Sequence, residues 1–316
     1  MKIFVAGATG AIGRRLVPLL VAGGHDVTGT TRKQTHVDAI RAAGAQPVVV
    51  DALNRDAVIA AIREARPEVV IHQLTAIPAR LNLRKFDEEF AQTNRLRMEG
   101  TDNLIAGARA AGVRRFIAQS YAAWPYARVG SLVKTEDDPL DTDPPEKMRD
   151  SLDAIRHLEA AVLDLAKDGM TGIVLRYGGF YGPGTSLGKD GSTVEEVRKR
   201  HFPLVSGANG IWSFIHIDDA AQATLAAVER GAHGIYNITD DEPAPVSEWL
   251  PALAADLGAP PPMHLPRFIA RLAVGKHGLI MMTEIRGASN AKAKRELGWT
   301  PRWASWRSGF RAGLGY

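Results

Sequence analysis

The sequence predicts an α/β protein: a doubly wound parallel sheet of about seven strands with a smaller C-terminal lobe. Three observations lead there. Short β-branched runs alternate with helical patterns through the first three-quarters of the 316 residues. Most of those runs are apolar almost continuously, which marks strands covered on both faces. Beyond Tyr177 the alternation loosens into glycine- and proline-rich chain.

The first strand is Lys2–Ala6. Ile12, Leu16, Leu19 and Leu20 then share one face of a helix that Gly23-Gly24 ends and Pro18 is expected to kink. Strands follow at 26–30, 47–50 and 69–73. A long helix over 87–111 ends at Gly112, and strands at 115–119, 172–176 and Gly234–Ile238 complete the sheet. Residues 137–145 form an acidic, proline-rich loop. Two insertions, 178–213 and 240–316, form the lobe, and 1–177 with 214–239 the sheet domain.

Composition narrows the function. Lys+Arg is 39 and Asp+Glu 35, a net charge of +4, and no basic run reads as a nucleic-acid patch. Apolar residues are 45% and charged residues 23%, ordinary for a globular protein. The absence of cysteine removes disulfides, thiolate metal sites and thiol nucleophiles together. The first apolar run is too short for a signal peptide, and the stretch from Phe268 to Met282 is broken by Arg271, Gly275, Lys276 and His277. A cytoplasmic protein with small-molecule partners, monomer or homodimer, is expected.

The first strand runs into Gly7-Ala8-Thr9-Gly10-Ala11-Ile12-Gly13. Glycines permit close backbone approach to phosphate, and the following helix offers free N–H groups and its positive dipole end. A glycine triplet after a strand and opening a helix predicts a dinucleotide site in a Rossmann-like domain. An NAD site places an acid about 20 residues past the glycines. Here Thr31 is followed by Arg32 and Lys33, which suits a 2′-phosphate and predicts NADP(H) over NAD. The alternative is that both cations belong to a solvated turn.

The Gly-x-x-Gly-x-x-Gly spacing resembles the extended branch of the short-chain dehydrogenase/reductase superfamily, which includes NAD(P)-dependent epimerases and dehydratases. Val70 to Ala76 resembles that family's fourth strand, Thr93-Asn94 with Gly100 to Leu104 its next helix, and Leu175 to Gly184 its Leu-Arg-x-x-Asn-x-Tyr-Gly-Pro segment. Phe214 to Ala220 and Ala293 to Trp299 resemble two later signatures. The resemblance implies that Gly7, Thr9, Gly10, Ala11, Ile12 and Gly13 hold pyrophosphate and that Asp51 and Leu53 meet the adenine. Asp51 could instead cap a helix. Gln73, Leu74, Thr75, Asn94, Gln119, Tyr177, Gly179 and Phe180 are implied along the rest of the cofactor.

The family's Tyr-x-x-x-Lys pair is missing. No tyrosine is followed four residues later by lysine, and the matching helix places Ser151 and Ile155 at those positions. Tyr121 or Ser120, at the end of the fifth strand, is the candidate proton donor; Tyr121 could equally be a pocket wall. His157 reads as a partly buried structural histidine. His216 with Asp218 and Asp219 reads as a brace with Asp218 as helix cap, not a metal site. Lys134 reads as a surface lysine. Trp212 stands where nucleotide-sugar enzymes of the family carry a phosphate-binding arginine. With Trp124, Phe180, Phe202, Phe268, Leu272, Leu279, Ile280, Met281 and Met282 it points to an apolar carbonyl or enone substrate. The expectation is an NADP(H)-dependent oxidoreductase with a non-standard proton donor. A sugar epimerase or dehydratase, and a non-catalytic NADP(H)-sensing regulator, stand as alternatives.

Overall fold

A computed structural model describes residues 1–78, 80 and 85–315; Tyr316, the last residue of the expected lobe, lies outside them. Seven strands form the sheet: β1 (Lys2–Ala6), β2 (Asp26–Thr31), β3 (Gln46–Val49), β4 (Val69–His72), β5 (Arg115–Tyr121), β6 (Thr171–Tyr177) and β7 (Gly234–Ile238). Their order is β7-β6-β5-β4-β1-β2-β3, and every neighbouring pair is parallel. The chain winds outward from β1 through β2 to β3, then returns to β4 on the other side of β1. A crevice opens at that reversal, at the carboxyl ends of the strands. Register sets His72 beside both Ala6 and Ala118, and Tyr121 beside Tyr177.

The helices are α1 (Gly13–Ala22), α2 (Val37–Ala42), α3 (Arg55–Ala65), α4 (Phe86–Arg95), α5 (Thr101–Ala111), α6 (Arg149–Asp164), α7 (Ser192–Arg198), α8 (Ile217–Arg230), α9 (Val246–Asp256), α10 (Arg267–Thr283), α11 (Ala291–Leu297) and α12 (Trp306–Ala312). Strand side chains alternate between two layers. Ile3 and Val5 pack with Leu16, Leu20, Ala220 and Ala223 of α1 and α8. Phe4 and Ala6 pack with Ile62, Leu104, Ala108, Leu158 and Val162 of α3, α5 and α6. Burial on both faces is why the strands read as unbroken apolar runs. α1 passes through Pro18 without interruption.

The long helix expected over 87–111 is not uniform. α4 enters a π turn at Leu96–Gly100 before continuing as α5, which ends at Gly112 with φ 67°. The lobe has its own core around Trp249, whose ring lies 5.1 Å from Trp212, 5.4 Å from Phe214 and 5.9 Å from Phe202. One segment departs from the expected division: Ala293, Leu297 and Trp299 pack into the sheet core beside α8. No helix among the described residues is long and apolar enough to cross a membrane.

Candidate active site

β1 ends at Ala6, and the chain turns through Gly7 to Gly13 into α1. Gly7 has φ +94°, a region glycine enters freely. Its N–H donates to Thr30 Oγ1 at 3.2 Å, and a Cβ there would lie 2.8 Å from the Gln73 carbonyl oxygen. Gly13 is tighter: a Cβ would lie 2.2 Å from Gly7 O and 2.6 Å from the Ala8 backbone. Gly10 has more room, 3.3 Å from Gly7 O. Thr9 and Ala11 are half-buried beside it, and Ile12 anchors the turn in the core. No side chain caps α1; Arg14 N–H donates to Gly10 O at 3.1 Å and Arg15 N–H to Ile12 O at 2.9 Å, and the turn ahead of them keeps its main-chain N–H groups clear of any side-chain cap. A cradle of main chain at an uncapped helix start fits a pyrophosphate.

At the other end of the crevice Thr31 closes β2, and its Oγ1 accepts the Lys33 N–H at 3.2 Å. Arg32 and Lys33 are exposed, and neither side chain has an ion-pair partner among the described residues. Asp51 Oδ1 accepts the Leu53 N–H at 3.0 Å. The helix cap nearby is Asn54, which takes the Ala57 N–H at 3.1 Å; Asp51 instead shapes the turn carrying half-buried Leu53.

Under the glycine turn, Gln73 Nε2 donates to the Tyr177 hydroxyl at 3.2 Å. Thr224 gives its own proton to Ala220 O, so the Tyr177 hydroxyl donates to Thr224 Oγ1 at 2.7 Å. Tyr177 is fully buried, and burial pushes its phenol up to about 12. Its hydroxyl therefore braces Gln73 from within the core. Gln73 Oε1 is buried without a partner, an orphan acceptor beside the crevice. Leu74 is held by its N–H to His72 Nδ1 at 3.2 Å, with Thr75 exposed beyond it. Asn94 donates to Ser151 Oγ at 3.1 Å and its Oδ1 has no partner. Past β6, Gly179 N–H donates to Ser213 O at 2.8 Å, and half-buried Phe180 leans on Tyr177 with ring centroids 5.5 Å apart.

Ser120 and Tyr121 are neighbours on β5 and so face opposite ways, with half-buried Gln119 on the Tyr121 side. Ser120 donates to Glu159 Oε1 at 2.6 Å. Glu159 is clamped by Arg176 through Nε at 2.8 Å and Nη2 at 2.6 Å. Arg176 also donates to the Tyr126 hydroxyl at 3.0 Å, which donates to Asn237 Oδ1 at 2.6 Å. Burial works against the Arg176 charge, but its hydrogen bonds to Glu159 and that carboxylate's charge outweigh it and raise the pKa above the ordinary value. Ser120 thus belongs to a buried hydrogen-bond network with Glu159, Arg176, Tyr126 and Asn237.

Tyr121 packs with Trp124, Trp212 and Met281 against Ala123, Ile280 and Ile285. Burial pushes its phenol up to about 12, opposed by the charge of Arg97. Ala123 holds φ 112°, rare for a residue with a Cβ, at the bend that sets Trp124 edge-on to Phe86 at 6.2 Å.

Sequence reasoning missed Arg97. It sits on the π turn, is 6% exposed, and makes no hydrogen bond or ion pair with any described residue. Burial pulls its guanidinium down to about 10, while Glu159 and Tyr121 are near enough to pull it back up. His72 anchors this turn from the end of β4: its Nε2 lies 3.1 Å from Thr101 Oγ1, and burial lowers its pKa to about 4, leaving the ring neutral. A π insertion leaves no clear trace in a 3.6-residue pattern, so no sequence signal singles out this arginine.

Ser151 and Ile155, at the missing pair's positions, are sealed in the core. Lys134 is 3% exposed, bound to Asp138 at 3.0 Å and Val129 O at 2.7 Å; it is not a surface lysine. His157 is half-exposed and pairs with Asp102 at 2.8 Å. His216, not Asp218, caps α8 by accepting the Asp218 N–H at 3.2 Å. Asp218 pairs with Arg15 at 2.6 Å, and Asp219 takes the Arg302 and Trp303 N–H groups at 3.0 and 2.9 Å. No cluster of metal ligands occurs among the described residues. Phe268 and Leu272 are exposed, away from the apolar wall around Tyr121.

This crevice is the setting of a known class of enzyme. The profile of the NAD dependent epimerase/dehydratase family matches residues 3–239, and the chain belongs to that family. Within it the chain is an oxidoreductase. It is 48% identical over 311 residues to the 3-diazoavenalumate denitrifying reductase of a Streptomyces species, covering 98% of this chain and 99% of that one. A farnesyl-dihydroquinoline-oxide ketoreductase from Stigmatella aurantiaca is 28% identical over 82% of this chain and 74% of its own. Among solved structures, UDP-glucose 4-epimerase from Thermotoga maritima superposes with a TM-score of 0.77 at 22% identity, covering 99% and 97% of the two chains. A human epimerase family protein solved with NADPH gives 0.73 at 21% identity, covering 99% of each. Both are likenesses of fold.

Proposed function

We propose that this chain is an NADPH-dependent reductase that places hydride on a small conjugated aromatic substrate, and that the accepting group is a diazo function lost as N2. One observation carries the reading: the dinucleotide turn is complete, while sealed Ser151 and Ile155 occupy the positions of the proton-transferring pair. Bound NADPH supplies hydride. In an aryl diazonium, a C–H bond forms as the C–N bond breaks, and N2 leaves with the C–N electron pair. That exchange needs no delivered proton, which fits a site lacking the pair. The 48% relative, named for denitrifying reduction of a diazo acid, supports the same chemistry.

In this reading the main chain of Gly7 to Gly13, including Thr9, Gly10, Ala11 and Ile12, holds the pyrophosphate. Arg32 and Lys33 take the 2′-phosphate, and Asp51 and Leu53 border the adenine. Gln73 Oε1, Leu74, Thr75, Asn94, Gln119, Gly179 and Phe180 line the path to the nicotinamide. Trp124, Trp212 and Met281 present an apolar wall to the substrate ring. Trp212, its Nε1 tied to Met281 O at 2.9 Å, offers no cation to a sugar diphosphate, which counts against epimerisation.

A second reading, carbonyl reduction, is favoured by Tyr121: its phenol stays protonated at neutral pH beside that wall. Ketoreductase relatives support it. Anaerobic incubation of NADPH with 3-diazocinnamate or with 4-phenyl-3-buten-2-one separates the two, scored against heat-killed protein. The proposal expects NADPH oxidation matched by N2, with deuterium from labelled NADPH on the ring carbon. Oxidation with the ketone alone establishes the second reading, and Tyr121→Phe then slows it roughly 100-fold or more. Oxidation with neither refutes both.

A further inference from the structure

We infer that Arg97 is the anion-recognition residue of this cleft, taking an oxygen anion of the aromatic substrate, carboxylate or phenolate, beside Tyr121. The inference rests on the reductase reading for the aromatic character of the ligand, and on Arg97 itself for the charge.

Arg97 carries a charge with no counter-ion among the described residues. An arginine only 6% exposed ordinarily carries a carboxylate partner, because a buried unpaired ion is costly. The carboxylate whose charge reaches it, Glu159, is already engaged by Arg176 and by Ser120, which satisfy its oxygens. His72, at the end of β4 beside the turn, is neutral, and Tyr121 stays a protonated phenol. The group Glu159, Arg176 and Arg97 therefore keeps one positive charge in excess. The 6% of Arg97 that stays exposed is the part an incoming ligand meets.

The backbone is built to hold the residue there. A π turn widens the helix by one residue, and such turns concentrate at functional sites. His72 and Thr101 fix it from either side. Beside this cation lies the apolar wall of Trp124, Trp212 and Met281 around Tyr121. A cation next to aromatic and thioether surface matches a flat ligand with an apolar body and one anionic oxygen, and such an oxygen gains a charge-assisted, two-pronged contact from arginine.

Calorimetric titration of the full chain, saturated with NADP⁺ and then without it, tests this with cinnamate, 4-nitrophenolate and methyl cinnamate as probes. Wild type is expected to bind cinnamate or 4-nitrophenolate at least tenfold more tightly than methyl cinnamate, and the stronger of the two anions identifies whether carboxylate or phenolate is the natural handle. Arg97→Met is expected to weaken the anions roughly 10- to 100-fold while leaving methyl cinnamate unchanged, and Arg97→Lys to recover part of the loss. The Met variant is also expected to melt higher than wild type, since it removes an uncompensated charge. Anion binding that Arg97→Met leaves intact overturns the assignment, as does a wild type that prefers the ester or binds neither anion. A loss of all three ligands with a lowered melting temperature makes Arg97 a structural residue and overturns it too. Failure of NADP⁺ itself to bind strikes the reductase reading, separately from the Arg97 contrast.

Discussion

A methyl group at Gly10 and one at Gly13 should do different things, and the difference tests whether a dinucleotide lies on this turn. At Gly13 the added Cβ lies 2.2 Å from Gly7 O, about an ångström inside contact, against main chain that cannot rotate away. Overpacking of this kind costs about 1–3 kcal/mol. Unfolding entropy of about 2.1 cal/mol/K per residue over 316 residues comes to ~0.66 kcal/mol/K. Gly13→Ala should therefore lower Tm by about 2–5 °C and disturb the cradle together with the fold. At Gly10 the added Cβ would lie 3.3 Å from Gly7 O, a tight contact that a shift of a few tenths of an ångström relieves, at a backbone angle alanine can adopt. Gly10→Ala should melt within about 1 °C of wild type, yet in the proposed cradle its methyl meets the pyrophosphate. A misplacement of about 1 Å is worth up to 100-fold, so NADPH should bind at least tenfold more weakly. Differential scanning fluorimetry and NADPH fluorescence titration give the two numbers. A Gly10→Ala protein that binds NADPH like wild type would refute the cradle.

Two further substitutions follow from the site's surroundings. Ser120→Ala removes a charge-assisted hydrogen bond worth roughly 1.5–3 kcal/mol and should lower Tm by about 2–5 °C with kcat unchanged; a collapse of kcat at unchanged Tm would return Ser120 to catalysis. Asp240 is buried with Oδ2 unpartnered, and burial pushes its carboxyl up to about 8. The folded state thus favours the protonated form. Its contribution to stability is full below about pH 4, falls as pH rises towards 8, and stays lost above. Asp240→Asn should flatten that decline in a melting series from pH 4 to 9, and an unchanged profile would show that the carboxyl is ionised in the fold.

The sheet was legible because its strands are buried on both faces, which writes burial directly into residue type. All seven fall within two residues of the expected bounds. The glycine turn was legible for a related reason: Gly7 and Gly13 answer to main-chain geometry that a single sequence displays. Side-chain chemistry at the strand ends was not. Ser120 and Tyr121 are one residue apart, and only the pleat decides which of them faces Glu159. Lys134 is folded into its own loop, onto Val129 O and Asp138 five and four residues away, a turn the residue types do not announce, while the burial of Arg97 depends on contacts distant in sequence, with Tyr121 at the end of β5 and Glu159 on α6. The helix cap at α8 went to His216 because its ring reaches the Asp218 N–H while Asp218 turns out to Arg15.

The most direct measurement is a side-by-side titration of wild type and Arg32→Ser with NADPH and NADH. Wild type is expected to bind NADPH at least tenfold more tightly than NADH, and Arg32→Ser to erase most of that preference by weakening NADPH alone, since an exposed arginine on a phosphate is worth about 1.5–3 kcal/mol at most. Tighter binding of NADH, or no binding of either nucleotide, would contradict it.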